Sequence, residues 1–290
     1  MNKAVSSIIE TTIRSSKKQM MNVLYHEGSS SVLPAILSHS KKLNFVRSSN
    51  ITNEILDIDY SAYVCHDYLN MENIYRQIIN PIHMKSLVCF NDTPYKMLKK
   101  EDLLILQTNL AKSKKLAFCP YVYDTWKPFF EDMVFMTPGI PDFKVSELEN
   151  RKSIVVVSSS NKKQARSLHS QIMDVIKDVG LLVDFHYDII SLMNVFNEYK
   201  MAIVLDNSLS CLLAMSANCA VISPIPFYDQ VITYNNSDTL NQAISAGFEM
   251  TENKETVSLG NKIRDSHQYD LFDNNLYNFM LNITREPFLL

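Results

Sequence analysis

Short apolar runs of four or five residues recur along the chain, each closed by polar or turn-forming residues. In the first half these runs are Met21–Tyr25, Leu43–Val46, Ala62–Cys65, Ser86–Phe90, Leu116–Cys119 and Met133–Met136. Runs this short, rich in β-branched and bulky side chains, predict strands of a parallel sheet joined by crossover helices. The segment Val32–Ser38 predicts a helix start. Two prolines and a glycine in Thr137–Asn150 predict a boundary. The cycle then restarts. Strands are expected at Ser153–Val157, Leu181–Phe185, Ala202–Leu205 and Ala220–Ile222. Helices are expected at Lys162–Val179, Ile190–Tyr199, Cys211–Ala217 and Ser237–Ser245, and a tail helix from Asn261 to Ile283.

Two such cycles in 290 residues predict an α/β protein of two Rossmann-like domains facing a cleft, with a C-terminal helix bridging them. The expected division is an N-terminal extension or helix over 1–20, a first domain over 21–140, a second over 141–260, and the bridging helix over 261–290.

Composition narrows the class. Only five glycines are present, and no two lie close enough for a dinucleotide fingerprint or a P-loop, which argues against both. The five cysteines form no CxxC pair and sit in or beside apolar runs, as buried reduced thiols of a cytoplasmic protein would. No apolar stretch approaches the roughly eighteen residues that a membrane span needs. The first twenty residues carry no compact apolar core and do not read as a secretion signal. They would place Ile8, Ile9 and Ile13 on one side of a short helix, packed on the protein or on a membrane surface. The net charge of −3 supplies no strong field for nucleic acid. A nucleic-acid partner stays open, though not favoured, because Lys85, Lys96, Lys99 and Lys100 would line the cleft.

In open α/β sheets, ligands bind beyond the carboxyl ends of the strands, so the residues that follow each strand are the candidates. In the second domain these are Ser158, Ser160, Lys162 and Lys163, then Asp206, Ser208 and Ser210. Unpaired first-turn N–H groups and the helix dipole favour an anion at such places, and two lysines add charge. The same serines and asparagines can equally be plain helix caps. In the first domain the candidates are Asp92, Asp67, Glu27 and His26, any of which could take a proton from a hydroxyl or serve only as a loop or capping residue. Asp92 ranks first because it follows the strand Ser86–Phe90 directly. His66 beside Asp67 has no HxxxH, HxH or second ligand cluster, so no metal site is expected.

The stretch VFNEYKMAIVLDNSLSCLLAMSANCAVISPI, Val195 to Ile225, resembles the nucleotide-sugar-binding end of GT-B fold glycosyltransferases. There a "yK" or "aD" segment enters a strand, a serine-rich turn follows, and a helix ends in "EAMA-x-G-x-PVI". Tyr199–Lys200, Ala202–Leu205 and Ala214–Ile222 fill that order here. TPGIPDF, residues 137–143, is similar to the link between the two domains of that fold. The resemblance implies a glycosyltransferase with a nucleotide-sugar as co-substrate, no permanently bound cofactor, no metal, and a hydroxyl-bearing acceptor of unread identity. It would place the diphosphate against Lys162, Lys163 and the amides near Ser208–Ser210. The sequence departs from the pattern at three places. Leu213 stands where many such enzymes have the acidic residue that holds the donor ribose, Asn218 stands for the usual glycine, and Ser158–Asn161 replace a glycine-rich turn. Those departures keep a second reading in play, a catalytically silent GT-B-like protein that binds a nucleotide, a sugar or a partner.

Overall fold

A computed structural model describes residues 21–26, 39–48, 62–65, 86–90, 100–111, 113–158, 161–183 and 189–285. Eleven strands among them form two sheets, and every strand pair is parallel. The first sheet contains β1 (Met21–His26), β2 (Leu43–Ser48), β3 (Ala62–Cys65), β4 (Ser86–Phe90), β5 (Lys114–Ala117) and β6 (Val134–Phe135), in the order β2-β1-β3-β4-β5-β6. The second contains β7 (Lys152–Ser158), β8 (Val179–Val183), β9 (Tyr199–Val204), β10 (Ala220–Ser223) and β11 (Ile232–Thr233), in the order β11-β10-β9-β7-β8. Each sheet therefore starts in its middle, runs to one side, then crosses back and continues to the other. The crossing leaves a crevice at its carboxyl edge, between β1 and β3 in one sheet and between β7 and β9 in the other.

The α-helices among the described residues are α1 (Lys100–Asn109), α2 (Pro120–Trp126), α3 (Lys162–Met173), α4 (Ile189–Phe196), α5 (Ser208–Ser216), α6 (Ser237–Glu252), α7 (Glu255–Ser266) and α8 (Tyr269–Arg285). Alternation along β7 shows why both faces of the second sheet are covered. Ile154 and Val156 face a cluster with Ala165 and Leu168 of α3 and Leu240 and Ala243 of α6. Val155 and Val157 face the opposite cluster, with Leu192 and Phe196 of α4 and Leu212 of α5. That second cluster continues without a break into the first domain, through Phe118, Cys119, Phe227 and Phe272.

The carboxyl-terminal helices divide between the two sheets. α6 packs on β9, β10 and β11, and α7 packs on α5. α8 turns to the first domain, where Phe272 meets Phe118 with ring centroids 5.9 Å apart and Asp273 accepts from the backbone N–H of Lys41 at 2.9 Å. The link between the domains runs beneath α8. A Cβ on Gly139 would lie 2.6 Å from Cβ of Phe272, so this position holds a glycine for close approach. The next residue donates its N–H to the carbonyl of His267 at 2.8 Å.

Several boundaries differ from the sequence reading for identifiable reasons. The tail forms two helices, α7 and α8, because the chain leaves helical geometry at His267. Helix α3 stops at Met173, and Asp178 takes a positive φ of 61° before β8 begins, two residues earlier than expected. β5 ends at Ala117 because Cys119 is already the N-cap of α2, with Pro120 at its first turn. The expected N-terminal helix and the helix start at Val32–Ser38 lie outside the described residues.

Candidate functional site

The crevice of the second sheet lies where β7 and β9 part, and the candidate binding residues gather there. Ser158 ends β7 and is fully buried. Its hydroxyl donates to Oδ2 of Asp206 at 2.7 Å. The backbone N–H of Asn161 donates to the same Oδ2 at 3.1 Å and to Oγ of Ser158 at 2.9 Å. Asp206 thus bridges the ends of β7 and β9 and takes one of the amides at the start of α3. Lys162 and Lys163 follow in the exposed first turn of α3. Ser160 lies outside the described residues.

Both helices behind this crevice are capped by asparagine rather than serine. Oδ1 of Asn161 accepts from the N–H of Gln164 at 3.4 Å, and Oδ1 of Asn207 accepts from the N–H of Ser210 at 3.0 Å. This frees the serines for other contacts. Ser208 and Ser210, read from the sequence as an open turn, instead form the first turn of α5 and are fully buried. Oγ of Ser210 has no hydrogen-bond partner. What covers this turn comes partly from the first domain. The Cys119 thiol donates to the carbonyl of Phe227 at 2.9 Å. The ring of Tyr121 meets Phe227 edge-on at 6.4 Å. The buried Tyr228 hydroxyl faces Cys119 and Cys211 without reaching hydrogen-bond geometry. Burial pushes the Cys119 thiol up to about 11, and it raises Cys211 and Tyr228 well above their ordinary values.

The opposite end of α5 is held by two arginines. Nη1 of Arg151 donates to the carbonyls of Ala217 at 2.6 Å and Tyr199 at 3.2 Å, and Nη2 donates to that of Ser146 at 2.5 Å. Nη1 of Arg264 donates to the Ser216 carbonyl and to Oδ1 of Asn218 at 3.0 Å. Burial lowers the proton affinity of both guanidinium groups. Asn218 has a φ of 65°, so the asparagine in the glycine position does adopt the left-handed backbone. Leu213 is fully buried in the core. The sequence reading missed both arginines, although each sits among polar residues in a loop or on a helix face that gave no periodic signal.

In the first sheet, His26 ends β1 directly beside Cys65 at the end of β3, across the corresponding crevice. The backbone of His26 is described but its side chain is not, and Glu27, Asp67 and Asp92 lie outside the described residues. Among the described residues no group of three or more His, Cys, Asp or Glu side chains could hold a metal ion. The described cysteines Cys89, Cys119, Cys211 and Cys219 are all buried and form no disulfide. No described helix is long and apolar enough to cross a membrane.

Two parallel α/β domains joined by a short link, with the last helix returning to the first domain, make this a GT-B-type fold. No protein-family model matches the chain, and no curated protein matches it by sequence. Solved structures share the fold at low identity. An alpha-glucosyltransferase in complex with UDP and a 13-mer DNA containing a HMU base is 7% identical, with a TM-score of 0.51 over 92% of this chain and 100% of that one. S. aureus MnaA with UDP is 11% identical, with a TM-score of 0.53 over 92% of this chain and 99% of that one. A mutant of S. aureus TarM, solved with Fondaparinux, alpha-GlcNAc-glycerol and UDP, is 10% identical with a TM-score of 0.54. It covers 78% of this chain, which spans 55% of TarM's length.

Proposed function

We propose that this chain is a glycosyltransferase that binds a nucleotide-sugar at the carboxyl edge of its second sheet and moves the sugar to a hydroxyl-bearing acceptor held by the first domain. The observation that carries the reading is the crevice between β7 and β9, where Asp206, the capped start of α3 and the pair Lys162 and Lys163 lie together. The three solved structures of this fold named above hold UDP, which makes UDP the first nucleotide to test.

Each group has a role set by its chemistry. The two lysines in the exposed first turn of α3 take the diphosphate, and in the transition state they neutralise the charge that builds on it as the sugar departs. A carboxylate repels phosphate but accepts hydroxyls, so Asp206 holds a donor hydroxyl rather than the diphosphate, in place of the acidic residue missing at Leu213. The base that activates the acceptor hydroxyl comes from His26, the last residue of β1, or from Glu27, Asp67 or Asp92, whose sequence positions follow strand ends. Domain closure excludes water, which would otherwise consume the donor. DNA in one fold relative makes nucleic acid an acceptor class to test beside saccharides and lipid-linked sugars.

The test is calorimetry with UDP on the unchanged protein and on the double variant Lys162→Ala/Lys163→Ala. A charge-assisted contact contributes about 1.5–3 kcal/mol, so the variant should bind UDP roughly tenfold more weakly or worse. Equal affinity would move the diphosphate away from α3. The buried first turn of α5 and Leu213 favour the second reading, a nucleotide-binding protein without turnover. Tight UDP binding with no donor consumption would select it.

A further inference from the structure

We propose that a cavity at the amino edge of the second sheet is a second ligand site, separate from the donor crevice, and that it takes a small carboxylate with an apolar or aromatic body. The cavity has a volume of about 600 Å³, within the range of small-molecule sites. Lys200, the second residue of β9, lines it. Asp206 lies beyond the other end of that strand, about 20 Å away at ~3.3 Å per residue. A small occupant of the cavity therefore does not reach the crevice between β7 and β9.

Asn218 forms the floor of the cavity and is the residue that points to a ligand. It is only 6% exposed. Its Oδ1 is held on α7, where Nη1 of Arg264 donates to it at 3.0 Å and Gly260 leaves it room, since a Cβ at Gly260 would collide with that oxygen. A guanidinium only donates, so the amide is oriented with Oδ1 toward Arg264 and Nδ2 turned away. Among the described residues Nδ2 makes no hydrogen bond, and it is not sealed inside the protein as Oγ1 of Thr256 and Nε of Arg151 are. It opens on the cavity, where an acceptor would satisfy it. The pairing of Met201 with Ala220 sets Lys200 opposite Cys219, one residue from Asn218. Lys200 is half-buried and has no ion pair among the described residues. A cation beside a free amide donor suits an oxyanion. The apolar walls are half-buried Val145 and Leu148, which follow the domain link, and Phe248 and Val257 of α6 and α7. The hydroxyl of Ser146 donates to the Asn197 carbonyl at 2.6 Å and fixes the link-side wall, so the cavity is preformed. At the rim, exposed Glu147, Glu149 and Glu252 outnumber Lys254. Water screens them, but their charge opposes a phosphate dianion more than a single carboxylate, which sets the class.

The test is calorimetry on the full chain with 2-naphthoate and, beside it, neutral 2-naphthamide. The expected result is saturable binding at one site, about tenfold tighter for the naphthoate. Asn218→Asp keeps an acceptor for Arg264 and tolerates the left-handed backbone, but turns the free donor into a carboxylate oxygen. Lys200→Met removes the cation and keeps the side-chain length. Each variant should weaken 2-naphthoate about tenfold or more, and Lys200→Met should leave 2-naphthamide nearly unchanged. Saturating UDP and the double variant Lys162→Ala/Lys163→Ala should both leave 2-naphthoate binding unchanged. Absence of saturable binding, equal affinity for the amide, or naphthoate binding that Lys200→Met and Asn218→Asp leave intact overturns the proposal. Competition by UDP would put the probe in the donor crevice and overturns it too, while leaving the donor reading standing. If Asn218→Asp does not fold, Lys200→Met decides alone.

Discussion

Helix α5 is anchored at its far end by a buried arginine, and replacing that arginine has a cost that can be worked out group by group. Arg151 is buried, and its partners are backbone carbonyls and the side-chain oxygen of Asn197. In Arg151→Met the aliphatic part is kept and the fork is lost. The Ser146 carbonyl lies on an exposed residue and can rehydrate. The Tyr199 carbonyl keeps the Cys219 thiol at 3.3 Å. The Ala217 carbonyl, at the end of α5 and buried, loses its 2.6 Å partner. One orphaned buried carbonyl costs about 1–3 kcal/mol, and losing a cation at a helix carboxyl end costs about 0.3–1 kcal/mol more. Relief of guanidinium desolvation offsets part of this, which leaves about 1–3 kcal/mol. At about 2 °C per kcal/mol for a chain of this size, the melting temperature should fall by about 2–6 °C. Differential scanning calorimetry at neutral pH reads it. A fall below about 2 °C would refute the claim that Arg151 holds the end of α5. Arg264→Met should couple to it, because both side chains serve consecutive carbonyls of the same helix end.

Three further outcomes follow from the same contacts. Cys119, Cys211 and Cys219 all have proton affinities raised by burial, Cys119 to about 11 and Cys219 to about 12, so the unfolded chain loses these protons first. Stability is therefore full below the unfolded thiol value near 8.5 and falls above it, by up to about 1.4 kcal/mol per pH unit for each thiol. Melting curves from pH 7.5 to 10.5 should show the fall, and Cys219→Ala should flatten it; an unchanged slope would contradict the burial account. Asp206→Asn removes the charge that takes the Ser158 and Asn161 donors. It should weaken a UDP-sugar by about tenfold if Asp206 accepts a donor hydroxyl, whereas tightening would show that its charge repels the diphosphate. Asp92→Asn should lower turnover by about 10²–10⁴ with donor affinity unchanged if Asp92 is the base, and a normal rate would pass the role to Asp67, Glu27 or His26.

The sheets were the most legible part of this sequence, because a strand buried on both faces must be written as a short continuous apolar run. Ile154 to Val157 shows this, with successive side chains entering opposite clusters. Helix α1 was not legible, because Leu103, Leu104, Ile105 and Leu106 are consecutive and give no stripe; Leu104 and Ile105 remain exposed. At two residues, β11 is too short to carry a period. At the site, Asp206, Lys162 and Lys163 could be named from their place after strands, since topology alone puts them at the edge. The burial of Ser208 and Ser210 could not, because it comes from packing between distant parts of the chain that buries all of α5. The arginine cap of α5 was hidden for the same reason. Arg151 and Arg264 reach carbonyls 48 to 66 positions away, and local pattern carries no record of such partners.

The central claim is that the crevice between β7 and β9 holds a nucleotide-sugar whose sugar is transferred. The most direct measurement is to incubate the full chain with UDP-, GDP-, ADP-, TDP- and CMP-sugars and follow release of the free nucleotide, comparing the unchanged protein with Lys162→Ala/Lys163→Ala. The account predicts slow nucleotide release from at least one donor and its loss, by roughly tenfold or more, in the double variant. Release at the same rate in both proteins, or from no donor at all, would contradict it.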